Sequence, residues 1–402
     1  MRLFRKNQKK FIPFIQADFI RQKKKILYRN CLYFALRVKI GVKIFLYKKA
    51  HVRLYFNLQH IYYEEKMHIV IVTDTWLPQC NGVVTTMQHV IQNISLFGYT
   101  YTLITIDPFL TVPLPLDKEL RLAVCPFRRM RQTLEKINYN FIHICTEGPL
   151  GLAARNYCKK RGIPFTTSFH TQYPEYFQMR AGIPAWMIYK AMLWFHGPSQ
   201  GIMCSTPSLR DRLGKKGFKN LKHFPRGVDT DLFSPCPISL PYSTPVLLYV
   251  GRITVEKNIK AFLDIKMPGT KVVVGDGRML LQLKKEYPDV VFLGPVYGRE
   301  LAQIYSSADV LVFPSLTDTF GLVQLEALAC GTPVAAYPVA GPLDLIRSNL
   351  VGALDFNLKA AIQKALTCKR SDCVEYAMQF SWKNATEQFI HNLCPVQGKI
   401  YG

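Results

Sequence analysis

The chain has 402 residues, of which 49% are hydrophobic and 20% are charged, a composition typical of a globular protein with a substantial core. This composition excludes a disordered chain, a collagen and a coiled-coil rod, and the length suggests about two to three domains. The 52 Lys and Arg residues against 27 Asp and Glu residues give a net charge of +25, which favours an anionic partner: nucleic acid, anionic lipid or a phosphorylated substrate. No stretch is long and apolar enough to predict a membrane-spanning helix.

More than half of the positive excess lies in residues 1–66, which hold 17 Lys and Arg residues and three acids. This segment alternates basic clusters with short apolar runs and lacks the single apolar core of a secretory signal. Three interpretations stay open. The segment is a stretch upstream of the true start, since Met67 opens a predicted strand, or an arm on an anionic membrane surface, or a nucleic-acid-binding arm.

The 11 cysteines are scattered through the chain. They form no C-x-x-C pair and no cluster with histidine at zinc spacing, so we expect no metal site. This usage favours reduced thiols in a cytoplasmic protein.

After residue 66, short apolar strands alternate with segments of helical periodicity. The predicted strands cover 68–73, 101–106, 141–145 and 164–170, and the predicted helices cover 83–96 and 150–160. This alternation predicts a parallel sheet with helices on both faces.

A second series of the same kind follows a proline-rich linker at 235–245. Its predicted strands cover 246–250, 271–274, 290–293, 310–313 and 333–336, and its predicted helices cover 257–264, 279–286, 300–307 and 321–329. The fold class is therefore α/β, with two doubly wound parallel-sheet units. Ligands bind beyond the carboxyl ends of strands in such sheets, so two facing units predict a cleft between them.

The segment 314–326 follows a predicted strand and opens a predicted helix. Backbone N–H groups at a helix start bind anions, which predicts a diphosphate site at Phe320, Gly321, Leu322 and Val323. Asp318 and Glu326 flank this site, and carboxylates suit sugar hydroxyls, which donate hydrogen bonds to them. Alternatively, Asp318 is an acid at the helix start that interacts favourably with the helix dipole, and Glu326 is a solvated acid on the helix.

Arg252 and Lys257 lie in the loop after the strand at 246–250 and are expected to face the same cleft. A guanidinium fork and an ammonium charge together suit a diphosphate leaving group. Alternatively, Arg252 and Lys257 are ordinary charged residues of the protein surface.

Two further motifs are interpreted as turns. Gly275–Arg278 lacks the third glycine of a dinucleotide fingerprint, and no acid is placed for a ribose, which argues against NAD. Asp229–Asp231 has the pattern of a metal-binding D-x-D, but its position before the linker favours a turn with helix-capping chemistry.

Taken together, these segments resemble the retaining glycosyltransferases of family 4, which have the two-domain GT-B fold. The match runs from Met67 to about Asp344, and its most specific part, 318–334, looks like the family's E-x7-E signature. Gly251–Asn258 looks like the phosphate-binding loop, and Arg226–Phe233 looks like the segment before the interdomain linker. The chain is most similar to bacterial GDP-mannose-dependent α-mannosyltransferases acting on lipid acceptors and to related glycolipid synthases.

The resemblance implies a domain organisation. An N-terminal Rossmann-like acceptor domain would cover 67–240, and a C-terminal Rossmann-like nucleotide-sugar domain would cover 241–376. A helix within 377–402 would return to the first domain.

The resemblance also implies residue roles. Arg252 and Lys257 would neutralise the donor diphosphate, Asp318 would contact sugar hydroxyls, and His170 would lie near the transferred sugar. The N–H groups near Phe320–Val323 would hold the diphosphate and sugar, and Glu326 would bind the ribose. The remaining donor-binding residues are Asn81, Gly82 and Val83, which would close over the diphosphate, and Val296, near the base.

Three residues depart from the family pattern. Asp318 stands where the family has Glu, Asn81 replaces the first Gly of a Gly-Gly pair, and Arg226 stands where Asn is frequent. These changes leave the groups expected to bind phosphate intact, but they leave the identity of the donor sugar undetermined.

The implied reaction is metal-independent, cofactor-free transfer of a hexose with retention, with mannose from GDP-mannose as the first choice and a UDP-sugar as the alternative. The acceptor would be a lipid or glycan hydroxyl. The aromatic-rich segment 173–196 is either an interfacial patch that admits lipid or an ordinary packed helix pair. With the basic extension, it favours a peripheral enzyme on the cytoplasmic face of an anionic plasma membrane.

Two other classes compete with this interpretation. A nucleotide-sugar epimerase on the same fold would convert donor without acceptor. If the chain were a basic protein that binds nucleic acid or membrane without catalysis, the motif at 318–334 would have no role. We therefore expect no nucleic-acid partner.

Overall fold

The computed structural model describes residues 66–79, 81–114, 117–316 and 318–396. The predicted basic extension lies outside these residues except for Lys66. The described chain forms two six-stranded parallel sheets with flanking helices. Its helices are all too short or too polar to span a bilayer.

The first sheet has the strand order β2-β1-β5-β6-β7-β8. Its strands are β1 (His68–Val72), β2 (Thr100–Ile104), β5 (Phe141–Ile144), β6 (Thr166–Phe169), β7 (Gly201–Cys204) and β8 (Leu221–His223). Its helices are α1 (Gly82–Ile94), α2 (Phe127–Lys136), α3 (Pro149–Arg161), α4 (Tyr173–Ala181), α5 (Ala185–His196) and α6 (Pro207–Lys215). An antiparallel hairpin of β3 (Thr111–Leu114) and β4 (Asp117–Ala123) interrupts the series.

The second sheet has the strand order β11-β10-β9-β12-β13-β14. Its strands are β9 (Val246–Val250), β10 (Thr270–Val274), β11 (Val291–Gly294), β12 (Val310–Phe313), β13 (Val334–Ala336) and β14 (Gly352–Leu354). Its helices are α7 (Ile259–Leu263), α8 (Leu280–Glu286), α9 (Gly298–Ser307), α10 (Leu322–Ala329), α11 (Pro342–Leu345), α12 (Leu358–Ala365) and α13 (Arg370–Ala377).

The second sheet buries side chains on both faces, as its continuous apolar strands predict. In β9, Leu248 packs on one face with residues of α9 and α10, whereas Leu247 packs on the other with residues of α7 and α12. Helices α7 and α10 therefore cover opposite faces, although they follow neighbouring strands β9 and β12. This divergence opens a crevice at the carboxyl end of the sheet.

The last described helix, α14 (Trp382–Asn392), returns to the first sheet. Trp382 and Phe389 join the core formed by β1 and α1, and the Trp382 ring stacks on His89 at a centroid distance of 4.6 Å. Where the chain crosses back, the Val228 N–H donates to the carbonyl of Phe380 at 3.0 Å. The predicted domain limits at 240 and 376 remain predictions.

Sequence periodicity located most of the buried strands but missed β7, in which every residue is buried. The strands β9 and β12 lie where they were predicted, whereas the hairpin β3–β4 and the strands β7 and β8 were not predicted. The β3–β4 hairpin is short and exposed at Val112, so it lacks the buried apolar run on which the predictions depended.

Candidate active site

The candidate site lies where β9 and β12 end side by side in the second sheet. The loop after β9 carries Arg252 and Lys257, and the loop after β12 carries Asp318 and Gly321. These strands are the topological switch point, because the strand order reverses there. The sheet thus brings together the two segments that the sequence singled out.

Lys257 and Asp318 form an ion pair in which the ammonium donates to Oδ2 of the carboxylate. Both side chains are mostly buried, with 22% and 18% of their area exposed. Arg252 is 52% exposed, and its Nη2 lies 3.8 Å from the buried carboxylate of Glu256. One cation is thus fixed inside the crevice and the other is available at its edge.

The loop that carries these cations is held by its neighbours. Tyr249 Oη donates to the carbonyl of Arg252 at 2.8 Å, and Asn258 Nδ2 donates to the carbonyl of Pro314 at 3.2 Å. Gly275–Arg278 forms a tight loop, as predicted, but its glycines have a role that the sequence did not indicate. A Cβ on Gly275 or Gly277 would lie 2.0 Å or 2.3 Å from a carbonyl oxygen of the cation loop.

The start of α10 presents backbone N–H groups to the crevice, and no side chain of the described residues caps it. Gly321 precedes α10 with φ +84°, a conformation that favours glycine. A Cβ there would also lie 2.5 Å from Gln324 Nε2 and 2.8 Å from the Phe313 ring. The N–H groups of Leu322 and Val323 therefore lie at an uncapped helix start, next to a position that favours glycine, and their predicted role in binding an anion stays a prediction.

Glu326 lies on the second turn of α10 and accepts a hydrogen bond from Tyr305 Oη at 2.9 Å. Burial raises the pKa of Glu326 to about 7, against the opposing effect of the Tyr305 hydrogen bond. Val296, after β11, packs partly buried against the same core as Tyr305. Glu326 and Val296 therefore both lie on the face of the second sheet that α9 covers, and their predicted contacts with ribose and base stay predictions.

Asn81, Gly82 and Val83 form the start of α1 in the first unit. Asn81 Oδ1 accepts from the N–H groups of Val83 and Val84 at 3.0 and 3.1 Å. The Val83 N–H is thus already satisfied by the helix cap. Gly82 has open space around it and no side chain. Among Asn81, Gly82 and Val83, it is therefore the residue whose backbone a ligand can approach most closely.

The two units meet through hydrogen bonds at the Asp318 loop. Thr319 Oγ1 donates to the carbonyl of His170 at 3.0 Å, and Ser205 Oγ donates to the carbonyl of Thr319 at 2.8 Å. Gln172 Nε2 donates to the carbonyl of Asp318 at 2.9 Å. His170, at the end of β6, is therefore adjacent to the loop that carries Asp318.

The His170 ring has one occupied and one unoccupied nitrogen. Arg226 Nη2 lies 3.1 Å from His170 Nδ1, whereas His170 Nε2 is inaccessible and has no hydrogen-bond partner among the described residues. Burial, with the Arg226 charge as a second cause, lowers the pKa of His170 well below its usual value.

Known protein families match both units. A model described as Glycosyltransferase Family 4 matches residues 80–232, and a model described as Glycosyl transferases group 1 matches residues 244–367. The chain belongs to the family 4 glycosyltransferases.

Curated relatives of this glycosyltransferase include hexosyltransferases. A Mycobacterium tuberculosis protein named GDP-mannose-dependent alpha-mannosyltransferase is 29% identical over 318 residues, which is 72% of this chain and 83% of the relative. The alpha-monoglucosyldiacylglycerol synthase of Streptococcus pneumoniae is 29% identical over 346 residues, which is 75% of this chain and 78% of the relative. The chain is accordingly a hexosyltransferase.

Solved structures share the fold. Sucrose-phosphate synthase from Thermosynechococcus elongatus superposes with a TM-score of 0.64 at 20% identity, over 81% of this chain and 98% of that chain. Anabaena HepE in complex with UDP and glucose superposes with a TM-score of 0.61 at 17% identity, with the same coverage. The glycosyltransferase therefore has the predicted GT-B fold.

The structure adds three residues that the motif analysis did not place in the site: Gln172, Arg226 and Tyr305. Arg226 was noted only as a departure from the family pattern. Gln172 follows a predicted strand end by two residues, which is a positional signal for a cleft residue. Tyr305 lies within a predicted helix, and nothing in its local sequence indicates that it bonds Glu326.

Glu326→Gln tests the origin of the raised pKa of Glu326. Because burial raises that pKa from 4.5 to about 7, the glutamate stabilises the folded state less as pH rises through this interval. Urea unfolding should show Glu326→Gln gaining stability relative to wild type between about pH 5 and about pH 8. A difference independent of pH would contradict the assignment.

Proposed function

We propose that this enzyme transfers mannose from GDP-mannose, with retention of configuration, to a hydroxyl of a lipid acceptor. The observation that carries the proposal is the convergence of Arg252, Lys257 and the start of α10 at the switch point. Together they form an anion site for a diphosphate.

In the proposed reaction, the bond between the sugar C1 and the diphosphate oxygen breaks while the acceptor oxygen bonds to C1 on the same face. The acceptor proton passes to the departing phosphate oxygen. Arg252, Lys257 and the α10 N–H groups stabilise the negative charge that develops on this leaving group. Because these fixed groups supply the positive charge, we expect no metal or cofactor requirement.

The other site residues take complementary parts. Asp318, held by Lys257, accepts hydrogen bonds from sugar hydroxyls, and His170 faces the sugar from the first unit. Glu326 accepts from the ribose hydroxyls, and Val296 contacts the base. Gly82 closes over the diphosphate from the start of α1.

A UDP-hexose-dependent glycolipid synthase is the second candidate. It is favoured by the similarity to the monoglucosyldiacylglycerol synthase and to a protein solved with UDP and glucose. Both candidates use the same diphosphate site and differ in the base and the sugar.

Thermal unfolding of the full chain with GDP, UDP or ADP tests the proposal. A nucleotide at about 100 times its dissociation constant should add about 2.7 kcal/mol of stability. A selective increase with GDP supports GDP-mannose, and a selective increase with UDP favours the second candidate. If none of the three raises the midpoint, the nucleotide-sugar proposal is wrong.

Arg252→Ala and Lys257→Ala test the two cations. Each should lower turnover about 100-fold or more, since removal of one oxyanion donor costs about 2.7–4 kcal/mol of barrier. Lys260→Ala is the matched control, because Lys260 lies in the next turn and pairs with Glu286 at 2.7 Å. Near-wild-type rates for the first two variants would exclude them from the diphosphate site.

The α5 helix supports a lipid acceptor at a membrane surface. Its buried face includes Tyr189 and Phe195, so it is a packed helix. Its opposite face exposes 59% of Trp186 and 58% of Trp194, with Lys190 between them and its Nζ 4.8 Å from the Trp186 ring centroid. Exposed tryptophans interleaved with a lysine suit the interface of an anionic bilayer.

Sedimentation with phosphatidylglycerol-containing vesicles tests this face. In about 0.5 M salt, which screens the basic extension, Trp186→Ala/Trp194→Ala should bind about tenfold less than wild type. Phe356→Ala, which removes an aromatic ring that is even more exposed and lies far along the chain, should bind as wild type. Equal sedimentation of all three proteins would overturn the membrane assignment.

A further inference from the structure

Arg226 carries a buried positive charge with an unusual set of partners. Only 5% of its area is exposed, and no carboxylate among the described residues pairs with it. Nη1 donates to the carbonyls of Phe224 at 2.7 Å and Pro225 at 3.1 Å, and the guanidinium stacks over the Phe224 ring at 4.4 Å. Keeping a charge in such a position is costly without a compensating role.

The remaining contact of Arg226 determines the tautomer of His170. A guanidinium has donors only, so Nδ1 of His170 must accept the hydrogen bond from Nη2. A neutral imidazole that accepts at Nδ1 carries its proton on Nε2. The unpartnered Nε2 is therefore an N–H donor that lacks an acceptor among the described residues.

A buried donor without an acceptor destabilises the protein, and a ligand oxygen that accepts from it would remove that penalty. His170 lies at the end of β6, and its carbonyl is bonded by Thr319, the neighbour of Asp318. His170 thus lies beside the loop that carries Asp318, but its Nε2 has no accessible surface in this structure, so a sugar oxygen reaches it only when the groups that cover it move.

We propose that Arg226 is a positioning residue that fixes His170 as an uncharged Nε2–H donor to an oxygen of the transferred sugar. The sugar contact rests on the proposed function, whereas the tautomer does not. Arg226 thus excludes His170 as a general base, because its Nε2 has no free lone pair in this tautomer.

The other groups around His170 do not supply a competing charge. His143 on β5 is a neighbour, but its two ring nitrogens are bonded to Thr166 Oγ1 and Ser168 Oγ, both at 2.9 Å, and burial lowers its pKa to about 3. Cys204 on β7 faces Arg226, and burial raises the pKa of its thiol to about 12. Across the cleft, the Asp318 carboxylate is paired with Lys257.

Nitrogen-15 NMR of the histidine-labelled full chain tests the tautomer without any substrate. The His170 signals, among nine histidines, are those absent from His170→Gln. Wild type should show a pyrrole-type Nε2 and a pyridine-type Nδ1 from about pH 5 to about pH 8. Arg226→Met should show mixed tautomers, because Nδ1 then no longer has to accept a hydrogen bond. A wild-type His170 that is protonated on Nδ1 would overturn the proposal.

A double-mutant cycle tests the catalytic consequence. Arg226→Met should lower kcat/KM about tenfold and leave the dissociation constant of the free nucleoside diphosphate unchanged. It should cause no further loss in the His170→Gln background, because Arg226 acts through that ring. Additive losses would show that Arg226 acts by another route.

Two controls separate positioning from folding. Arg155→Met removes another buried arginine, which donates to the backbone carbonyls of Phe195 and Trp194 and stacks on the Trp194 ring. This variant should retain the wild-type kcat/KM. Arg226→Lys should recover most of the activity, because an ammonium also only donates to Nδ1. If Arg226→Met does not fold, failure of Arg226→Lys to keep the wild-type tautomer overturns the proposal. The NMR experiment contains no substrate, so its result does not depend on whether GDP-mannose is the correct donor.

Discussion

The site depends on one constraint: two adjacent parallel strands send their following helices to opposite faces of the sheet. Helices α7 and α10 pack in separate cores, so their first turns diverge and leave the carboxyl ends of β9 and β12 uncovered. Both cations and the α10 N–H groups lie in the resulting crevice. The parallel pairing of these strands therefore brings the polar groups together, independently of contacts between their side chains.

Charge inside the crevice is balanced locally. Lys257 and Asp318 form an ion pair in a mostly buried place, so each provides the partner that water would otherwise provide to the other. Arg226 has no such partner and relies on backbone carbonyls, an aromatic ring and one histidine nitrogen. The two cations thus differ in their partners: Lys257 pairs with a carboxylate, and Arg226 donates to a histidine nitrogen and to backbone carbonyls.

Local sequence predicted the parts of the fold and site that depend on local patterns. The apolar runs of β9 and β12 predicted the positions of these strands, and a glycine at the start of a helical pattern after a strand predicted the helix start at Gly321. The contact between His170 and Arg226 joins residues 56 positions apart, and Tyr305 reaches Glu326 across two helices. Such contacts arise from strand order and helix packing, which the periodicity of one segment does not specify.

The return of α14 to the first sheet means that the chain passes between the two units twice. The two passages are joined where the Val228 N–H bonds to the Phe380 carbonyl and Val228 pairs with Ser381. Because the two connections are bonded to each other, any movement of one unit against the other must bend the chain at this pair of segments. Such a movement must break the hydrogen bonds of the Asp318–Thr319 loop to the first unit and the two bonds that Ser208 donates to Asp344.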